Sequence, residues 1–278
     1  MRDIPTQTIV DAVRDASIRA NIELGDDVVQ ALEQAVGREE SEVGRDILRK
    51  LLENAQIARE ERIPMCQDTG VAVLFVELGQ EVRVAGDLYQ ALEEGVRRGY
   101  DEGFLRKSIC DPFTRKNTGD NTPIIVHLSL IPGDELRIWV VPKGGGSENM
   151  SRLFMLPPSA GWAGVKEKVV QTVAEAGPNP CPPTIIGVGI GGNFEQSAIM
   201  AKKSLLRPLG TPNPDPRLVP MEAELLTAIN RTGVGPQGLG GRVTSLAVHI
   251  LMMPCHIASL PLAVNIQCHA SRHVEVVL

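Results

Sequence analysis

The stretch CPPTIIGVGIGGNFEQSAIMAKKSLL, residues 181–206, holds two hydrophobic periods in succession. Residues 184–188 form a short apolar run bounded by Pro182-Pro183 and by glycine, which predicts a buried strand. Residues 194–206 then resume at helical spacing until Pro208 stops them. A strand, a glycine-rich turn and a helix in succession make a βα unit. The glycines do not spell a dinucleotide fingerprint, because the spacing is not GxGxxG and no acid closes a second strand at the required distance. Close backbone packing beside a buried site is the better reading of GVGIGGN.

Working outward, residues 6–62 predict three helices, with apolar residues at Ile9, Val13 and Ile18, then Val29, Leu32 and Val36, then Ile47, Leu51 and Leu52. Pro64 breaks the last of them, and residues 65–70 form a turn into an apolar run at 71–78. Asp87 is a candidate N-cap for a helix over 88–100, and Arg106 follows in a loop. The runs 123–130 and 135–141 flank Pro132-Gly133-Asp134 and predict a hairpin, which leads into Lys143-Gly144-Gly145-Gly146-Ser147. Helices are predicted over 165–176 and 221–232, with a Pro-rich surface excursion at 207–220 between them. The whole predicts a mixed α/β fold of the α+β kind. One domain spans 1–278, with a helical N-terminal layer (1–62) packed on a β-sheet core (63–278) whose Gly-rich loops surround a cluster site.

With 43% hydrophobic but only 3% aromatic residues, the core must be built from Val, Ile, Leu and Ala, as in helix-covered sheets. A formal net charge of -6 argues against a nucleic-acid partner, which would need clustered Lys and Arg. A small anion remains compatible, since a few local cations suffice in a closed pocket. The N-terminal MRDIPTQTIVDAVRDASIRA lacks the apolar stretch of a secretory signal, so a cytoplasmic location is expected. The segment 243–267 is apolar but contains Pro254, Pro261, His249 and His256, so strands and turns fit it better than a membrane span.

Five cysteines in a reducing compartment are free thiols by default, each one ordinarily packed as a small hydrophobe. Three have unusual surroundings: Cys66 in PMCQDTG, Cys181 in NPCPPTIIGVGIGG and Cys268 in PLAVNIQCHASRH. No local CxxC loop joins them, so any shared site requires the finished fold. The KGGGS run could close on a carboxylate with successive amides or be a simple turn. His127, His249, His269 and His273 have no metal-ligand spacing and read as structural; His256, beside Cys255 in the segment that leads to Cys268, carries more weight.

Seven motifs together resemble the alpha subunit of the iron–sulfur hydro-lyases, the class I fumarate hydratase and tartrate dehydratase family. They are MCQDTG (65–70), RKNTGDNTP (115–123), KGGGSENMS (143–151), CPPTIIGVGIGG (181–192), AKKSLLRPLG (201–210), GPQGLGG (235–241) and PCHIASLPLAVNIQCH (254–269). Asn193 departs from the pattern, standing where a small Thr or Ser is expected after GIGG.

The resemblance implies a [4Fe-4S] cluster on Cys66, Cys181 and Cys268, with Cys110 and Cys255 as non-ligands. An iron without a protein thiolate then acts as a Lewis acid rather than an electron carrier. The implied reaction is reversible dehydration of a small dicarboxylate, (S)-malate to fumarate, which belongs to the tricarboxylic acid cycle, with tartrate dehydration as the alternative. Asp68 and His256 are the implied catalytic residues; Gln67, Arg106 and Gly145 would bind substrate, Arg106 by a two-pronged hydrogen bond to a carboxylate. Too few residues follow Cys268 for the family's second module, so a separate beta subunit and an α2β2 heterotetramer are implied. The rival from another class is a non-catalytic iron–sulfur redox protein, which would ligate every iron; a thiolate zinc scaffold is a further one.

Overall fold

The computed structural model describes residues 1–278. In chain order its elements are β1 (Arg2–Pro5), α1 (Thr6–Ile22), α2 (Asp26–Arg38), α3 (Glu42–Glu61), β2 (Val71–Gly79), β3 (Val82–Ala85) and α4 (Leu88–Glu102). There follow β4 (Ile125–Ile131), β5 (Leu136–Lys143), α5 (Gly145–Glu148), β6 (Arg152–Leu156), α6 (Gly161–Ala176), β7 (Thr184–Gly192) and α7 (Phe194–Ser204). The chain ends with α8 (Val219–Asn230), β8 (Ser245–Cys255), β9 (Leu260–Gln267) and β10 (Val274–Val277). The fold is mixed α/β, and no helix is long and apolar enough to cross a membrane. Contacts divide the chain into two units: Met1–Leu24, Asn54–Gly145 and Arg272–Leu278 in the first, Gly25–Glu53 and Gly146–Ser271 in the second.

In the first unit a four-stranded sheet has the order β10-β5-β2-β4, with β2 parallel to β4 and antiparallel to β5. This corrects the hairpin expected around Pro132-Gly133-Asp134: β4 and β5 flank β2 and do not pair with each other. The turn leaving β2 is stitched into the chain between them, with Gly79 N–H donating to Glu135 O, Gln80 N–H to Ile131 O and Glu81 N–H to Gly133 O, each at 2.9 Å. Gly79 permits that approach, since a Cβ there would lie 2.4 Å from Gly133 O. The turn residues mark a reversal of direction, not which strand fills the gap.

Helices α1 and α4 cover this sheet. Ile9, Val13, Ala16 and Ala20 of α1 and Leu92, Val96 and Tyr100 of α4 join Leu74, Ile138 and Val140 in one buried cluster. Their spacing of three and four residues is the helical period read from the sequence. Asp87 caps α4 as expected, accepting from Gln90 N–H at 3.0 Å.

The second unit holds a sheet of order β6-β9-β7-β8, in which β7 runs parallel to β8 and antiparallel to β9. Strand β7 explains its own sequence. Side chains alternate across a strand, so Ile186, Val188 and Ile190 enter the cluster made with Val165, Val169 and Val173 of α6 and Leu225 and Ile229 of α8. The intervening glycines meet α7: a Cβ on Gly187 would stand 2.0 Å from Ala201 O, and one on Gly189 2.0 Å from Ser197 O. Helix backbone thus lies directly on strand backbone, the close packing expected of GVGIGG. Asn193 caps α7 by accepting from Gln196 N–H at 3.0 Å, the work a Ser or Thr would do there.

Two buried polar centres brace this unit. The Glu39 carboxylate, 1% exposed, accepts from the backbone N–H of Ser41 (2.9 Å), Arg242 (2.9 Å) and Val243 (2.8 Å). Burial alone would raise its pKa, yet those donors hold it below the ordinary carboxylate value. Glu222 accepts from Arg207 Nη2, which lies 2.8 Å from each carboxylate oxygen, and from Asn213 Nδ2 and Ile250 N–H. Asn213 is buried, so the Pro-rich excursion is pinned inward at that residue.

Candidate functional site

None of the five cysteines is packed in the core: Cys66, Cys110 and Cys268 are half-buried, Cys181 and Cys255 exposed, and none forms a disulfide. That runs against the usual habit of free cysteine. No three His, Cys, Asp or Glu side chains converge tightly enough to hold a single metal ion.

In the first unit the turn after Pro64 is fixed from every side. Met65 N–H donates to Asn21 O (3.0 Å), and Asn54 Nδ2 donates to Met65 O (2.9 Å). Asp68 N–H points at Cys66 Sγ (3.4 Å), so this sulfur accepts a hydrogen bond from its own loop, an arrangement suited to a thiolate. The Asp68 carboxylate accepts from Gly70 N–H (3.0 Å) and from Gly145 N–H (2.7 Å), and its carbonyl accepts from the Arg272 guanidinium. The glycine run after Lys143 therefore does bind a carboxylate, and in this structure it is that of Asp68. Gly145, expected to offer its amide to substrate, offers it to this side chain.

Behind the loop stand Tyr100 and Asn121, both 0% exposed. Tyr100 Oη donates toward Thr69 O (2.6 Å) and Gly70 O (3.1 Å), and burial holds its phenol protonated by raising its pKa. Asn121 Nδ2 donates to Gly70 O (3.2 Å) while its Oδ1 accepts from Ser108 N–H (2.7 Å). Thr69 Oγ1 donates to Arg106 O (2.9 Å). The segments carrying Cys66, Arg106 and Gly145 are thereby tied into one polar knot. Arg106 and Gln67 are exposed on it.

The second unit brings Cys181 and Cys268 to one end of its sheet. Cys181 precedes β7 and Cys268 follows β9, and the register pairs Ile185 with Gln267. The two loops are joined directly: His269 N–H donates to Cys181 O at 3.3 Å, with His269 Nδ1 3.0 Å from the same oxygen. Gln237 of GPQGLGG closes the arrangement, donating to Pro182 O through both N–H and Nε2 at 2.8 Å. Glu148, in KGGGSENMS, bonds to Lys202 of α7 and accepts from Asn265 of β9 (3.1 Å), three residues before Cys268.

His256 is elsewhere. Cys255 pairs with Gly192, so His256 sits past the opposite end of β7 from Cys181, roughly 25 Å away at the rise of an extended strand. It is exposed, and its Nδ1 accepts from Ala258 N–H at 3.1 Å. Within this unit the structure does not bring it to Cys181 and Cys268. Tyr100, Asn121, Gln237, Glu148 and Arg272 were not singled out from sequence; only the motifs around some of them were.

Residues 10–277 match the family model described as Fumarate hydratase (Fumerase). A Methanocaldococcus jannaschii protein named "Putative L(+)-tartrate dehydratase subunit alpha" is 41% identical over 271 residues, 95% of each chain. The L(+)-tartrate dehydratase subunit alpha of Escherichia coli UTI89 is 35% identical over 251 residues, 89% of this chain and 83% of that protein. The chain is a hydro-lyase. It belongs to the fumarate hydratase (Fumerase) family, as its seven motifs implied.

Proposed function

We propose that this chain is the alpha subunit of a [4Fe-4S] hydro-lyase that removes water from a 2-hydroxy dicarboxylate, in an α2β2 assembly with a separate beta subunit in the cytoplasm. Cys66, Cys181 and Cys268 would hold the cluster. The observation that carries this is the treatment of their loops. All three thiols stay out of the core, one sulfur accepts a backbone N–H, and the other two lie on loops hydrogen-bonded to each other at a strand end. Two nitrogens of the buried Arg272 guanidinium without an acceptor, beside the Cys66 loop, also suit an anionic group there. When bound, such a cluster supplies a Lewis-acidic iron for the leaving hydroxyl.

The chain's own residues then bind and orient the diacid. Arg106 is an exposed guanidinium on a backbone held by Thr69, and it suits one carboxylate by a two-pronged bond. Gln67 stands beside Cys66. Asp68, its carboxylate oriented by two amides, is the acid–base group this chain provides. Gly145 acts through Asp68. His256 is not part of the set that one chain supplies at Cys181 and Cys268.

For substrate, (S)-malate and L-tartrate are both 2-hydroxy diacids and both fit this chemistry; the names of the relatives favour tartrate, the family name fumarate. The deciding experiment is anaerobic co-expression with a beta-type chain, followed by iron and sulfide analysis and by assays on both diacids. The expected result is iron and sulfide near four each per alpha chain, by the cofactor's composition, with activity on one diacid and dependence on the beta chain. Cys181→Ser should lose the cluster and Cys110→Ser should keep it. Protein without sulfide, or equal effects of the two substitutions, would end the proposal.

A further inference from the structure

We infer that Arg272 is a positioning residue of the cofactor site, a buried positive charge that fixes the Cys66 loop and compensates the charge of the cluster held there. The inference rests on the functional reading above.

Arg272 is 2% exposed, an unusual place for a guanidinium. Its Nη2 donates to Asp68 O, yet Nε and Nη1 are buried with no acceptor within the protein. A buried guanidinium that lacks an anion and leaves two donors unmet costs several kcal/mol, so a protein keeps one where an anion arrives. Asp68 is the carboxylate at the loop, and its two oxygens already accept from Gly70 and Gly145. Tyr100, which feels the Arg272 charge, stays protonated because it is buried.

What the guanidinium reaches is the peptide next to the sulfur. Asp68 receives Arg272 on its carbonyl and gives its N–H to Cys66 Sγ, so one residue links the cation to the thiol. Arg272 also lies four positions beyond Cys268 in the sequence. Three thiolates and a cuboidal cluster carry net negative charge, and hydrogen bonds and nearby charge are the protein's means of setting cluster potential. A positive charge favours the reduced cluster, so its loss should lower the reduction potential.

The test uses the anaerobically reconstituted αβ complex with Arg272→Gln, which keeps a donor for Asp68 O but no charge, and Arg272→Lys, which keeps the charge. Iron, sulfide and the reduction potential by EPR-monitored titration are measured, together with KM and kcat for the active diacid. The expected result is a lower potential, or loss of the cluster, in Arg272→Gln, with the cluster retained near the wild-type potential in Arg272→Lys. Unchanged potential in a fully loaded Arg272→Gln overturns the inference. So does equal loss of cluster from both variants, which would mark a steric strut. A raised KM with unchanged potential would overturn it too, assigning the guanidinium to substrate. If the wild-type complex itself holds no cluster, the functional reading fails before Arg272 is in question.

Discussion

Tyr100 shows how one hydroxyl can organise a site it does not line. Its donation to the carbonyls of Thr69 and Gly70 turns the end of the Cys66 loop inward, and Asn121 covers the same Gly70 carbonyl. Tyr100→Phe keeps the ring and removes the donor, so the Thr69 carbonyl is left buried and unmet. The expected cost is about 1–3 kcal/mol in denaturant unfolding. Unaltered stability would show that water or a shifted loop replaces the bond. The sequence displayed the thiols because CQDTG and CPPT are conspicuous, whereas Tyr100, Asn121 and Arg272 matter only through partners far away along the chain. Asp68 and Arg106 were legible as candidates, but that Gly145 would be engaged by Asp68 was not.

At the scale of elements, β7 and α7 were readable because strand period, glycine run and helical period occur in one uninterrupted stretch. The β4–β5 reversal was read in outline only, since its missing partner β2 lies some fifty residues earlier. The β7–α7 contact gives a sharp comparison. Gly189→Ala places a methyl 2.0 Å from Ser197 O and must push α7 off the strand, at a cost of about 3 kcal/mol. Gly37→Ala, in α2 with nothing within 4 Å of the new methyl, should instead stabilise by up to about 1 kcal/mol. Paired thermal melts check both signs. The far-end position of His256 follows from the same elements: β8 must traverse the sheet before β9 returns along it to Cys268.

For the whole molecule, the buried polar centres set how it meets acid. His249 is 3% exposed with Nδ1 near Ser204 O, and burial first, then the Arg207 charge, lowers its pKa from 6.5 to about 4. The unfolded chain takes up this proton before the folded one does. Its contribution to stability is therefore complete above pH 6.5 and lost as pH falls from 6.5 toward 4, an upper limit of about 3 kcal/mol. Glu39 adds to the same trend lower down, because a depressed carboxylate contributes stability above its ordinary pKa of 4.5 that is lost as pH falls further. Unfolding free energies measured between pH 7 and 4 should fall in wild type and fall less in His249→Gln. Parallel curves would assign the loss to other groups.

The place of β10 reaches beyond the finished structure. Its four residues hydrogen-bond to β5 at the edge of the first sheet, yet they are made only after residues 146–271 have been translated. Until residues 272–277 have been made, β5 has one side unpaired and Arg272 cannot reach Asp68. The Cys66 loop thus receives this brace only from residues that come after every segment of the second unit in the order of synthesis.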